Sequence, residues 1–368
     1  EAIAISTLVS DMFGSLPGLE WLRAVKLYTI LGADVYLFPT LIALAFAGYV
    51  VFLNFRGASS AAKLQAFLTK ALLCGMLLAM GVSIVTGSPD NAMPVFSQVA
   101  GAGGGVAETE STNLLAGIVS VLVLTPFFYA GFDTIPQQAE EAAEGLNWNK
   151  FGKIITLALL AAGGFYMVCI YSFGTILPWN EFVAQPVPAL ACLKNINMIL
   201  YVAMLVIATL GPMGPMNSFY GATSRIMLAM GRKGQLPEKF AEVDEKSGAP
   251  KLACVVLGII TVIGPFLGKN MLIPLTNVSA LAFILSCTMV ALACLKMRYT
   301  EPDLPRPYKV PGGKFGILLA ILAGAIIIGL LVLPFSPASL NMVEWSIVLG
   351  WLVVGLILMF ATKARAKK

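Results

Sequence analysis

Nine stretches of this chain are long and almost free of charge, at approximately 35–54, 64–87, 112–139, 152–177, 196–224, 252–268, 271–295, 314–334 and 343–362. About 20 apolar residues wound as a helix, at about 1.5 Å each, cross the hydrocarbon core of a bilayer. The connectors are short and rich in Gly, Pro and charge, as turns at a membrane surface are. Composition agrees: 12% of residues are charged, against roughly 25% in a soluble domain, too few to cover a water-soluble globule. The fold class expected is an all-α membrane protein with one transmembrane domain over residues 1–368. The apolar stub 1–16 reads as the end of a span begun upstream, and no signal peptide is recognised.

Charge placement orients these spans, because cytoplasmic loops collect Lys and Arg. Nineteen of the 24 basic residues fall on the side reached after 35–54, four (Arg23, Lys26, Lys194, Lys269) fall on the other, and Lys70 lies inside a span. This alternation predicts a multi-pass protein of the cell membrane with a cytoplasmic C-terminus. It also accounts for the basic residues without a nucleic-acid partner. The chain has no histidine, which removes the commonest general base and zinc ligand. Its six cysteines form no CxxC pair and read as buried small hydrophobes. No metal, cofactor or enzymatic activity is expected.

Segment 112–139 differs from the other spans. It starts as an ordinary helix, then meets Pro126, Phe127-Phe128-Tyr129, Gly131, Asp133 and Pro136. Proline removes a backbone donor and clashes with the carbonyl four residues back, and glycine lowers the cost of leaving helical geometry. Unwound backbone at membrane depth is tolerated only where it is buried in protein or lines a cavity, and an acid there is expensive. Solute sites of secondary transporters are built from such broken helices, whose free carbonyls face the solute.

The run Phe127-Phe-Tyr-Ala-Gly-Phe-Asp-Thr-Ile-Pro-Gln-Gln-Ala-Glu-Glu141 resembles the sixth helix of amino acid permeases of the amino acid–polyamine–organocation superfamily, especially the cationic amino acid transporter branch. Asn54-Phe-Arg-Gly57 to Lys70, Ser224 to Pro237 with Ala249-Pro250, and Pro302 to Pro311 resemble that family's helix-five entry, eight–nine loop and ten–eleven loop. The resemblance implies a leucine-transporter-like inverted-repeat bundle lacking its first two helices and part of the third. On that numbering 1–16 ends helix three, 35–295 holds helices four to ten, and 314–362 holds helices eleven and twelve. It implies that carbonyls of Phe127, Phe128, Tyr129 and Ala130 hold a substrate amine, with Gly131, Phe132 and Asp133 completing that wall. Without the first broken helix, residues 1–368 alone are expected not to transport.

Lys70 matches a helix-five lysine which, in proton-coupled permeases, takes the place of a sodium ion. Proton coupling, or a fixed charge that stands in for sodium, is therefore expected, although a lysine this near a span end also suits snorkelling to the interface. Asn277 and Ser279 follow Pro274 and are candidates for an outer gate, and Gly211-Pro-Met-Gly-Pro215 is expected to bend its helix. Glu140, Glu141 and Glu144 read as solvated helix-end residues, and 88–111 as a glycine-rich outer loop. The function expected is amino acid transport by alternating access, with amino acid, protons and lipid as partners. Polyamine transport or amino acid exchange is the alternative on the same fold. A channel or non-transporting membrane subunit is the alternative of another class.

Overall fold

The computed structural model describes residues 1–93, 114–137, 147–183, 187–336 and 338–366. The glycine-rich loop and the Glu140, Glu141 and Glu144 cluster lie largely or wholly outside them. The first elements are α1 (Ala2–Asp11), the hairpin β1 (Lys26–Ile30) and β2 (Ala33–Tyr36), α2 (Leu37–Phe55), α3 (Ala58–Thr86), α4 (Leu114–Tyr129) and α5 (Thr134–Gln137). They are followed by α6 (Trp148–Gly174), α7 (Trp179–Val183), α8 (Pro188–Ile196), α9 (Met198–Leu210) and α10 (Met213–Arg232). The chain ends with α11 (Lys251–Ile263), α12 (Leu272–Thr300), α13 (Gly313–Val332) and α14 (Met342–Ala366). Among the described residues, eight helical stretches are long and apolar enough to cross a membrane.

The fold is the helical membrane protein expected, with three local differences. The 252–268 stretch is short: α11 stops after 13 residues, where Gly264-Pro265 turns the chain into a 3-10 turn. The 196–224 stretch is two helices stacked end to end, α9 and α10, and runs on to Arg232. Gly211 and Pro212 keep helical dihedrals, but the prolines at 212 and 215 each remove a ladder donor. The interruption falls at Gly211-Pro212, within the glycine–proline cluster. The third difference is the hairpin, for which no element is expected. Leu31 and Gly32 both take positive φ, 48° and 76°, the two-residue turn whose twist suits antiparallel strands.

Two packed groups build the bundle. In one, α1, α2, α3, α9, α10 and α11 enclose cores around Ala43, Ala47 and Val50 and around Leu193, Tyr201 and Leu205. In the other, α12 carries α4, α13 and α14 around Val123, Leu281, Leu331 and Leu340. The cysteines are less uniformly buried than expected: Cys254 is buried, whereas Cys74 is exposed on α3. An apolar residue on the outside of a membrane bundle meets lipid, so burial in protein is not required of it.

The connectors segregate as the charge pattern predicts. The Ser247 carbonyl packs against Gly57, Tyr308 lies on Gly152, and the Thr362 hydroxyl donates to the Gln235 carbonyl. At the opposite edge the Tyr28 hydroxyl donates to the Phe266 carbonyl at 2.6 Å, Lys269 Nζ lies 2.8 Å from Asp11, and Asn91 Nδ2 donates to the Thr175 carbonyl at 2.7 Å.

Asp244 closes the loop after α10. The Lys251 ammonium, 2.6 Å away, and the Ser247 hydroxyl, at 2.8 Å, hold its carboxyl down to about 2 from an ordinary 3.8. A depressed carboxyl contributes above its ordinary value, and that contribution is lost as pH falls through the folded value. Asp244→Asn should therefore speed amide exchange at 244–249 several-fold at pH 7, and the difference from wild type should vanish near pH 2. A difference independent of pH would refute this role.

Candidate functional site

The break is narrower than the sequence suggests. Helix α4 runs straight through Pro126 to Tyr129, so Phe127, Phe128 and Tyr129 form its last turn rather than unwound backbone. The reason lies one residue upstream. Pro126 orphans the Leu122 carbonyl, and the Thr125 hydroxyl donates to that carbonyl at 2.7 Å. A satisfied carbonyl lets a membrane helix tolerate proline.

The chain leaves helical geometry at Ala130–Asp133. Gly131 has φ +126°, a conformation essentially reserved to glycine. Its carbonyl accepts the Thr134 amide at 3.1 Å and the Thr134 hydroxyl at 2.6 Å. The Asp133 carboxylate folds back along the same segment. Oδ1 accepts the Gly131 amide at 2.9 Å and Oδ2 accepts Gln137 Nε2 at 2.8 Å. Asp133 thus clamps the turn that joins α4 to α5.

Helix ends leave their final carbonyls without ladder partners. Here two are already engaged: the Phe127 carbonyl accepts the Ala130 amide at 3.1 Å, and the Phe128 carbonyl accepts the Tyr166 hydroxyl at 2.9 Å. The Tyr129 and Ala130 carbonyls accept no hydrogen bond from the described residues. They are acceptors at the end of a helix dipole, where negative partial charge accumulates and cations are favoured.

Aromatic rings wall this break. Phe128 and Tyr129 stand edge-on to Tyr166 with centroids 5.9 and 6.2 Å apart, and Phe132 meets Phe283 of α12 at 5.8 Å. The Tyr129 hydroxyl lies against Gly163, where a Cβ would collide with it. Tyr166, Phe283, Thr134 and Gln137 were not legible as site residues. The sequence signal for Tyr166 is the pair Gly163-Gly164 just before it, room for an aromatic neighbour in an otherwise bulky span.

The other candidates stand apart from the break. Lys70 is on an exposed face of α3, with no hydrogen bond or ion pair to the described residues. Because α3 starts at Ala58, Lys70 lies about 18 Å along it at about 1.5 Å per residue, deeper than the sequence suggested. Asn277 Nδ2 donates at 2.6 Å to Glu344 of α14, a carboxylate only 1% exposed. The other Glu344 oxygen accepts the Asn341 amide at 2.6 Å, and the Glu344 amide donates to Asn341 Oδ1 at 3.0 Å. This reciprocal cap satisfies a buried charge at the start of α14. Ser279 is exposed on α12.

Comparison with known proteins places this geometry in a family context. A family model described as amino acid permease matches residues 4–359. A branched-chain amino acid permease of Bacillus subtilis is 26% identical over 255 residues, 68% of this chain and 52% of that protein. A vacuolar cationic amino acid transporter of Arabidopsis thaliana is 26% identical over 312 residues, 82% of this chain and 45% of that one. An aspartate-proton symporter of Bacillus subtilis is 30% identical over 164 residues, 44% of this chain and 28% of that protein. The chain spans about half the length of the curated relatives it matches most extensively.

Proposed function

The chain belongs to the amino acid permease family, and on that footing we propose that it moves amino acids across the cell membrane by alternating access, coupled to protons, with its C-terminus cytoplasmic. In this reading α2 to α12 take the places of helices four to ten, and α13 and α14 those of helices eleven and twelve. The observation that carries the reading is the break itself, with its two unengaged carbonyls at Tyr129 and Ala130 beside an aromatic wall. A substrate ammonium has three donors and no acceptor, which suits carbonyl oxygens at a helix C-terminus. Phe127, Phe128 and Gly131 shape this turn, Phe132 leans on α12, and Asp133 holds the turn closed rather than meeting the amine directly.

Lys70 is assigned the coupling role. Its place about 18 Å along α3, inside an apolar span where a charge is costly, supports a charge whose surroundings change with conformation. The proton in the name of the Bacillus symporter points the same way. Asn277 and Ser279 are assigned to the outer gate, with Glu344 holding Asn277 in place.

The test is uptake of a radiolabelled amino acid panel by the full-length protein in vesicles carrying a pH gradient. Uptake of at least one amino acid, accelerated by an inward proton gradient, is expected. Lys70→Gln should remove the gradient dependence, and Asp133→Asn should lower uptake by weakening the turn. Uptake driven by sodium and indifferent to pH would overturn the coupling, and uptake of no amino acid would overturn the function.

A further inference from the structure

The loop between α12 and α13 is rigid for a membrane-surface connector. Pro302, Pro305, Pro307 and Pro311 restrict its backbone. The Arg306 guanidinium donates to the carbonyls of Met297, Glu301, Pro302 and Leu304 at 2.6–3.1 Å, stapling the loop to the C-terminus of α12. Tyr308 then seats on Gly152 of α6, where a Cβ would come within 2.6 Å of its ring, and its hydroxyl lies 3.3 Å from the Thr156 hydroxyl. The loop is thus docked on the first turns of α6.

The docked elements border an open cleft of about 500 Å³ lined by Asn149, Lys153, Pro307, Tyr308, Lys309 and Pro311. Lys153 and Lys309 are both exposed, and neither pairs with a carboxylate of the described residues. Among the described residues no acid lines this cleft; Glu301 and Asp303 of the same loop lie outside it. The contrast at the same edge is the cleft by the α10–α11 loop. There Lys239, Lys246 and Lys251 share their walls with Glu242, Asp244 and Glu245, so its charge is balanced internally. Trp148, half exposed, stands on the first turn of the same helix, one residue before Asn149 of the cleft. A tryptophan at a span end sits at headgroup depth, so the two free ammoniums lie where lipid phosphates lie.

We infer that this cleft is a binding site for the phosphate headgroup of an anionic phospholipid, held by Lys153 and Lys309, with Tyr308 and Asn149 as polar walls and Trp148 against the acyl boundary. Basic pockets between membrane helices hold such headgroups by charge, and the attraction falls off within a Debye length. A lipid held there bridges α6 to the α12–α13 loop, two elements otherwise joined at this edge by Tyr308.

The experiment is lipid retention by the full-length protein, extracted from vesicles of phosphatidylcholine containing one fifth phosphatidylglycerol and read by native mass spectrometry. The double variant Lys153→Gln/Lys309→Gln should retain phosphatidylglycerol about ten-fold less or lower still. Lys239→Gln/Lys246→Gln should retain it like wild type, and Lys153→Arg/Lys309→Arg should keep most of it, which controls for folding. Unchanged retention by the first variant overturns the site. Equal losses from both glutamine variants overturn it as well, because they reveal general surface charge. Displacement of the lipid by millimolar inorganic phosphate overturns the lipid as occupant in favour of a free anion.

Discussion

Gly131→Ala is expected to cut amino acid uptake by the full-length protein at least about ten-fold. A Cβ at Gly131 would meet no atom within 4 Å, so steric clash with neighbours plays no part. The whole cost is backbone, since φ +126° is a conformation whose imposition on a residue with a side chain costs about 1–3 kcal/mol. A factor of ten corresponds to about 1.4 kcal/mol, inside that range. The alanine variant can relieve its strain only by rotating the 130–133 peptide planes, which re-aims the Tyr129 and Ala130 carbonyls and breaks the Gly131–Asp133 bond. Gly164→Ala is the control, because Gly164 has an ordinary negative φ and open space around it. Substrate affinity separates the causes: a higher KM with normal protein yield places the damage in the site. Wild-type uptake by Gly131→Ala would show that the break does not shape the substrate site.

The second large effect concerns stability. Asn217→Leu is expected to destabilise the protein by about 1–2 kcal/mol, a fall of a few degrees in the melting temperature measured in detergent. Asn217 is 4% exposed and joins three helices. Its Oδ1 accepts Asn54 Nδ2 of α2 at 2.9 Å, and its Nδ2 donates to the Ala61 carbonyl of α3 at 3.0 Å and to Gln65 Oε1 at 3.3 Å. Leucine has the same branching and number of heavy atoms, so the loss reports chiefly on the hydrogen bonds. Such bonds contribute modestly in membranes because the separated helices find other partners. Asn54 Nδ2 keeps its 3.0 Å bond to the Val50 carbonyl, which bounds the effect from above. The pair Asn54→Leu/Asn217→Leu should cost less than the sum of the two single changes, because they share one bond. An unchanged melting temperature for Asn217→Leu would show that this cluster is not part of what holds α2, α3 and α10 together.

Most of the spanning helices and the place of the break were legible because each depends on residues near one another in sequence. Apolar runs of bilayer length become spanning helices whatever packs beside them, and basic residues sort by connector. Gly131 between Pro126 and Pro136 marks where the ladder fails. The hairpin escaped that reading because its turn uses Leu31 at positive φ, without the Asn-Gly or Asp-Gly pair that announces such a turn. The extent of the break escaped it too, because the Thr125 hydroxyl repairs the damage done by Pro126.

What tertiary structure alone decided is which polar groups remain available. The Phe128 carbonyl is taken by Tyr166, 38 positions along the chain, and Asn277 by Glu344, 67 positions along. The Asn54–Asn217 bond spans 163. No periodicity or propensity carries such pairings, since they arise only when helices distant in sequence come side by side. The sequence by itself determined that the apolar segment 112–139 must break near Gly131. Bonds within the turn engage the Phe127 and Gly131 carbonyls, and the packing of α6 decided the rest: its Tyr166 takes the Phe128 carbonyl and leaves those of Tyr129 and Ala130 without a donor among the described residues.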